Sequence, residues 1–488
     1  MIIGRVVHIM SKKPNILFIL ADDLGWMDLS CMGSGFYETP NLDRLAREGM
    51  RFTNAYAACP VCSPTRASIM TGMYPASIGV TNYIGGHSKG YLISAKYKDH
   101  ISHNEKTIAE ELKNTGYSTW HVGKWHLAGR YTRSEEFKRS HYPENHGFEV
   151  NIAGCDAGMP HHGYFSPWLI KNLEDKKDGE YLPDRLTDEA IKLIRNRNDK
   201  PFFLNLWYYL VHTPIEAKQE YIKYFENKKT ELSLGEVQEF EIGDFFPCEH
   251  KKDKRIVRRI VQSDTVYAAM IKSLDENIGR LITTLKEEDL YEDTIIIFTS
   301  DNGGLATAEG SPTCNKPLSE GKGWIYEGGT REPLIVKWDG RILPGSICHT
   351  YVTSPDFYPT ICEIVEKTEY KRGDGKSLVK LLEENEDLSL SERPIFWHYP
   401  HYANQGGTPG SSVRKGKFKL IEFYEGNRYE LYDLKNDPSE KQNIYGDRSD
   451  IAQELKKILE EWKIGVEAQI PEKNADFTPW SECHSELI

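Results

Sequence analysis

Residues 15–21 read Asn-Ile-Leu-Phe-Ile-Leu-Ala, a short run without a charge that ends on Asp22-Asp23. A run so short and so continuously apolar suits a strand covered on both faces, because such a strand has no solvent side to alternate with. Comparable runs recur at 117–122, 202–207, 294–299 and 334–338, each separated from the next by enough chain for a helix. That rhythm predicts the α/β class, with a large, mostly parallel central sheet flanked by helices. Between the runs, residues 107–114 form a short amphipathic helix candidate and residues 255–288 a long one. In the long segment Tyr267, Ile271, Leu274, Ile278, Leu281 and Leu285 fall alternately four and three apart, one stripe to lie against the sheet. After Pro355 the texture changes. Residues 356–366 suit a helix and the charged stretch 383–392 a solvated loop. Short alternating segments at 394–399, 411–414, 417–423 and 429–434 then predict a small antiparallel sheet, followed by an amphipathic helix over 450–463. A boundary near residue 370 divides the chain into a leader-like segment over 1–13, a main domain over 14–370 and a C-terminal subdomain over 371–488.

Charge narrows the function classes. The chain holds 61 Lys+Arg against 73 Asp+Glu, a formal charge of -12, so nothing supplies the broad basic stripe that a nucleic acid requires. No stretch approaches the roughly 20 apolar residues of a membrane helix. Residues 1–10 are interrupted by Arg5 and His8, and no small-residue cleavage site follows, so the sequence predicts a cytoplasmic protein rather than an exported one. The nine Cys are an odd number and mostly scattered, which excludes a disulfide scaffold; only Cys59 and Cys62 lie close together.

Chemistry concentrates in three places. Asp22-Asp23 follows the first apolar run and Asp301-Asn302-Gly303-Gly304 follows the run at 294–299. In open α/β sheets ligands bind beyond the carboxyl ends of the strands, so the two groups are candidates for one shared site. Three carboxylates and an amide oxygen form a hard, all-oxygen set suited to Ca²⁺ or Mg²⁺ rather than to zinc. Adjacent strand residues point to opposite faces, so Asp22 and Asp23 converge only where the chain has left strand geometry. The second place is Cys59-Pro60-Val61-Cys62-Ser63-Pro64-Thr65-Arg66, which opens a helix. Taken by itself it admits a redox pair, half a zinc site, or two buried thiols. Arg66, one turn on from Cys62, can aim its fork back at an anion or polar group at the helix start. The third is a set of basic side chains, Lys124, His126, His212 and Lys322.

These residues carry a family resemblance. Cys62-Ser63-Pro64-Thr65-Arg66, continued to Thr71-Gly72, resembles the first signature of the formylglycine-dependent (type I) sulfatases, and residues 116–126, Gly-Tyr-Ser-Thr-Trp-His-Val-Gly-Lys-Trp-His, are similar to their second. Asp22-Asp23, His212-Thr213-Pro214, Asp301-Asn302-Gly303, Gly321-Lys322-Gly323 and the stretch from Leu431 to Pro438 match further blocks in the same order. The resemblance spans 14–465 and points to the carbohydrate sulfatases and arylsulfatases of bacteria. It implies an alkaline phosphatase-like α/β fold with the smaller antiparallel subdomain behind it.

What the resemblance implies for function is a sulfuric ester hydrolase acting on an organic sulfate, a sulfated carbohydrate above all. Cys62 would be oxidised by a separate maturation enzyme to formylglycine, whose hydrated aldehyde offers a second hydroxyl to expel sulfate, so that the covalent step can be undone. Asp22, Asp23, Asp301 and Asn302 would hold one divalent cation, Ca²⁺ in preference to Mg²⁺, with the modified Cys62 side chain completing the set. Arg66 and Lys124 would position the diol and the charge beside the metal; His212 and Lys322 would bind sulfate and protonate the leaving alcohol. His126 would take the proton from the second hydroxyl. His161, His162 and Trp324 are expected as substrate contacts, since rings and imidazoles at a site mouth suit a sugar. A phosphodiesterase or phosphonate monoester hydrolase of the same superfamily is the alternative enzyme, and a redox or metal-binding protein using Cys59 and Cys62 the alternative from another class. Family resemblance also makes the periplasm the alternative location.

Overall fold

Every apolar run predicted as a strand becomes part of one sheet in the computed structural model, which describes residues 13–366 and 373–477. Its strands are β1 (Asn15–Ala21), β2 (Met50–Tyr56), β3 (Ser118–Gly123), β4 (Val150–Ile152), β5 (Phe202–Trp207), β6 (Thr294–Ser300), β7 (Arg331–Lys337), β8 (Ser346–Cys348) and β9 (Val352–Thr353). They lie in the order β8-β2-β7-β6-β1-β5-β3-β4, with β9 also on β2. β6, β1, β5 and β3 are mutually parallel, and β7 runs antiparallel to both of its neighbours. Every residue of β1, β3, β5 and β6 is buried, which is why those segments read as continuous apolar runs.

β2 has no such run. Its Met-Arg-Phe-Thr-Asn-Ala-Tyr is half polar, and it joins the sheet by pairing with β7 rather than by its own hydrophobicity.

Three helices concern the site. The first, α1 (Cys62–Thr71), is buried along its whole length. The second, α2 (Ile108–Asn114), starts at a capping box in which Thr107 and Glu110 satisfy each other's backbone N–H. The third, α3 (Thr265–Glu287), covers the sheet with the stripe Tyr267 to Leu285, all buried. Here the structure corrects the sequence. The helix expected from residue 255 begins only at Thr265, where the Asp264 side chain caps the N–H groups of Val266 and Tyr267. Arg255–Arg259 is a strand paired with Phe240–Phe245 in a two-stranded hairpin. The stretch expected as a loop at 383–392 contains a four-residue helix, Leu388–Ser391, started by the Asp387 side chain.

Beyond α4 (Phe357–Glu366) the boundary expected near 370 falls on 367–372, outside the described residues. The second sheet follows as β10 (Ile395–Tyr399), β11 (Gly410–Lys415), β12 (Phe418–Phe423) and β13 (Arg428–Asp433), antiparallel throughout. α5 (Ser449–Gly465) buries Ala452, Leu455 and Leu459 against Phe396, Val413, Leu420 and Leu431 of that sheet. The other face docks on the main sheet. Trp397 Nε1 donates to the Ala57 carbonyl at 2.8 Å, and Lys419 Nζ lies 3.0 Å from a carboxylate oxygen of both Glu327 and Glu440. Among the described residues no helix is long and apolar enough to cross a membrane.

Candidate active site

The adjacent parallel strands β6, β1, β5 and β3 end along one edge of the sheet, and the chain leaving each carries part of the site. Asp22 and Asp23 follow β1, Asp301 and Asn302 follow β6, Lys124 and His126 follow β3, and His212 lies just past β5. Asp23 has φ 63°, so the chain has left strand geometry, and both carboxylates reach the same side. Two glycines are required by close approach. A Cβ on Gly303 would sit 1.8 Å from the Gly328 carbonyl oxygen, and one on Gly123, at φ +105°, would sit 1.9 Å from that of Trp207. They let the Asp-Asn and Lys-bearing turns press against neighbouring backbone.

Charge is balanced pairwise. Lys124 Nζ donates to Asp22 Oδ2 at 2.6 Å, Lys322 Nζ to Asp23 Oδ2 at 2.6 Å, and Arg66 Nε to Asp301 Oδ2 at 2.8 Å. Arg66 Nη1 donates to the Lys124 carbonyl, so its fork ties α1 to the strand ends rather than pointing at the helix start. Asn302 Nδ2 donates to Asp23 Oδ1 at 2.9 Å, which turns its amide oxygen the other way. That oxygen and Asp22 Oδ1 are buried without a hydrogen-bond partner among the described residues. Ligand atoms of Asp22, Asp23 and His212 all lie within 4.8 Å of one another. Burial and then the Asp301 carboxylate push the Asp22 carboxyl well up. Burial also opposes charge on Asp23, yet Lys322 and then His212 hold it below the ordinary carboxylate range.

Cys62 begins α1 and is buried, with Sγ 3.4 Å from Nδ1 of His126. The Nε2 of His126 donates to the Ile84 carbonyl at 3.2 Å, which leaves Nδ1 as the acceptor facing Cys62. Burial, with Lys124 and Arg66 nearby, keeps this imidazole neutral. His212 uses Nδ1 to donate to the Thr213 carbonyl at 2.7 Å, so its Nε2 accepts from Lys322 Nζ at 3.0 Å. Burial and the neighbouring Lys322 take its pKa down to about 3.

Cys62, His126, His212 and Lys322 line a cavity of about 700 Å³. His161 and His162, expected as substrate contacts, stand on its wall. Trp324 stands behind the wall, donating Nε1 to Thr307 Oγ1 and to the Gln405 carbonyl. Tyr83, Arg130, Glu309, Asn404 and Gln405 also line the cavity and were not singled out from the sequence. They come from four separate loops, Asn404 and Gln405 sharing one, and no spacing in the chain links the four. Cys59 packs with Val61, Tyr399 and Ala403, and both Cys59 and Cys62 are free thiols, so the two form no disulfide.

Comparison with known proteins places the chain in a family. Residues 14–366 match the family model described as Sulfatase, and residues 320–464 match that described as N-sulphoglucosamine sulphohydrolase, C-terminal. A Formosa agariphila protein named Sulfatase is 30% identical, over 96% of this chain and 92% of its own length. Human arylsulfatase A is 28% identical over 94% of this chain and 89% of its own. Among solved structures, Ps i-CgsB in complex with k-i-k-neocarrahexaose shares the fold with a TM-score of 0.73 at 26% identity, covering 97% of this chain and 96% of that one. A family match over most of the chain, and relatives aligned along nearly all of it, lead to one conclusion: the chain belongs to the sulfatase family and is a sulfuric ester hydrolase.

Proposed function

We propose that this enzyme removes sulfate from a sulfated carbohydrate, with Cys62 as the precursor of its nucleophile. The observation that carries the reading is the meeting of Cys62, His126, His212 and Lys322 at a cavity beside the acidic cluster. Support for a sugar comes from the cavity's size, which suits a small glycan, from His161 and His162 on its wall, and from the carrahexaose complex of the similar Ps i-CgsB.

The residues fit one divalent cation. Three buried carboxylates and an amide form a hard oxygen set, and two of these oxygens, Asp22 Oδ1 and Asn302 Oδ1, have no hydrogen-bond partner among the described residues. Asp22, Asp23, Asp301 and Asn302 would hold the ion, Ca²⁺ in preference to Mg²⁺, and it would supply Lewis-acid stabilisation of sulfate charge. Formylglycine made from Cys62 by a separate maturation enzyme would supply a hydrated aldehyde in place of a thiol.

The chain's own side chains do the rest. Arg66 and Lys124 neutralise Asp301 and Asp22 and keep the strand ends in register with α1. His126, held by Ile84 with its Nδ1 lone pair toward position 62, is the base at that side chain. Lys322 gives one N–H to Asp23 and one to His212, and its third would bind a sulfate oxygen, so that the Lys322–His212 pair is the proton source beside the departing alcohol. Beside the acidic cluster the chain places Lys124 and Lys322 rather than extra Asp or His ligands for a second metal, which favours sulfate over phosphate. The catalytic unit in this reading is 14–370, with 371–488 as the C-terminal subdomain.

The test is release of free sulfate from a panel of sulfated mono- and disaccharides, beside aryl sulfate and aryl phosphate, with the mass of the Cys62 peptide read from the same material. Sulfate release together with the thiol-to-aldehyde mass change is expected. Full turnover with unmodified Cys62, or a large preference for phosphate, would overturn the reading.

A further inference from the structure

Three Lys and Arg side chains line the cavity, Lys322, Lys171 and Arg130, and their partners set them apart. Lys322 is committed to Asp23. Lys171 is held by two carboxylates, Glu135 at 2.8 Å and Asp156 at 3.1 Å. Arg130 differs because it shares one carboxylate with a second arginine. Asp99, whose side chain is 2% exposed, accepts two bonds from Arg133, Nε at 2.9 Å and Nη2 at 3.0 Å, while Arg130 Nε stands 3.2 Å away. His100 reaches the same carboxylate through Nδ1 at 3.0 Å. One negative charge therefore faces two guanidiniums, and the surplus positive charge falls on Arg130, the member that lines the cavity.

Its guanidinium is also fixed in place. Nη1 donates to His87 Nε2 at 2.7 Å, and the Tyr97 ring centroid lies 5.3 Å from Cζ. Nη2 has no hydrogen-bond partner among the described residues. A planar cation held between a carboxylate and an imidazole, on a residue that lines the cavity, is preorganised to receive an anionic oxygen. Glu309 lines the same cavity, and the one bond to its carboxylate among the described residues comes from neutral Gln405 Nε2 at 3.0 Å. A second anion is thus repelled on that side and drawn to the Arg130 side.

We infer that Arg130 forms a second anion subsite in the substrate cavity, which selects sulfate esters carrying a further carboxylate or sulfate on the same glycan. The inference rests on the sulfatase reading and goes beyond it by naming the charge of the substrate.

The experiment measures kcat/KM on three matched arms: hexose monosulfates, the same hexoses with a second sulfate, and hexuronate monosulfates, with 4-nitrophenyl sulfate as the reference ester. The wild-type enzyme should prefer one doubly anionic arm over its matched monosulfate by about tenfold to a hundredfold, the range for a charge-assisted pair. Which arm is preferred tells carboxylate from sulfate. In Arg130→Gln the ratio between arms should fall to about one through KM; in Arg130→Lys, which keeps the charge without the fork, it should be intermediate. Equal wild-type rates on all arms would overturn the inference, as would an Arg130→Gln enzyme that loses both arms alike and keeps the ratio. If Arg130→Gln does not fold, the wild-type ratio and Arg130→Lys decide. Turnover of 4-nitrophenyl sulfate without a charge preference sinks this inference alone. Failure on every sulfate ester sinks the underlying reading with it.

Discussion

The Sγ of Cys62 stands 3.4 Å from Nδ1 of His126, while the other nitrogen of that ring donates to the Ile84 carbonyl. One backbone oxygen therefore chooses the tautomer that faces position 62. Replacing His126 with Ala removes the acceptor without disturbing the acidic cluster. The kcat for a sulfate ester should fall by about a hundredfold to ten-thousandfold, with a smaller change in KM. Steady-state kinetics of His126→Ala against wild type checks this; a change confined to KM would contradict the role of base.

Cys59 and Cys62 should separate cleanly. Cys59 packs with Val61, Tyr399 and Ala403, away from the cavity lining. Cys59→Ser should keep sulfate release largely intact, and Cys62→Ala should abolish it. A thiol pair that worked by redox cycling would lose function in both.

The acidic cluster should make stability depend on a divalent ion. A ligand bound only by the folded state adds about 2.7 kcal/mol at a hundred times its Kd. Thermal melting of chelated enzyme should therefore occur at lower temperature, with Ca²⁺ restoring it more fully than Mg²⁺. Asp301→Asn should weaken that response, and an unchanged melting curve on chelation would argue against the site.

Docking of the second sheet can be tested at Lys419. Its ammonium is fully buried between Glu327 and Glu440. Glu327→Ala leaves that cation partly uncompensated, which should cost about 3–5 kcal/mol in denaturant unfolding. A loss below about 1 kcal/mol, as for an exposed pair, would show that the buried pair does not hold the sheets together.

Acid should destabilise the chain through a buried histidine outside the acidic cluster. His398 on β10 is held by Ser411 Oγ at 2.7 Å and the Gln469 carbonyl at 3.0 Å, and burial takes its pKa from 6.5 to about 4. Between those values the unfolded chain binds the proton and the folded chain does not, so stability present above pH 6.5 is lost as pH falls toward 4. The loss from this residue is about 3 kcal/mol at most. Urea midpoints measured at pH 7.5 and pH 5 should diverge less in His398→Gln than in wild type.

Much of this was legible in the chain because local rules and tertiary structure agree. The residues of β1 and β5 are apolar throughout since both faces of each strand are covered, and the stripe from Tyr267 to Leu285 fixes the face of α3. Where they disagree, local pattern misleads. Arg255–Arg259 carries enough charge to pass for the start of an exposed helix, but its hydrogen bonds go to Phe240–Phe245. β2 is a strand because β7 pairs with it, which its own half-polar sequence does not announce.

For the site, ordered motif blocks singled out Cys62, the acidic residues and two of sixteen histidines as candidates. Sequence by itself thus determined the fold class and the family, and it singled out the candidate site residues, because all three depend on residue types at fixed positions along the chain. Only the tertiary structure decided how they act. The left-handed turn at Asp23 lets two adjacent carboxylates converge, Ile84 sets the tautomer of His126, and Arg66 is spent on Asp301 rather than on an anion. It also put Arg130 and Glu309 into one cavity, from loops far apart in the chain. Such pairings depend on distance and direction in space, which chain order does not encode.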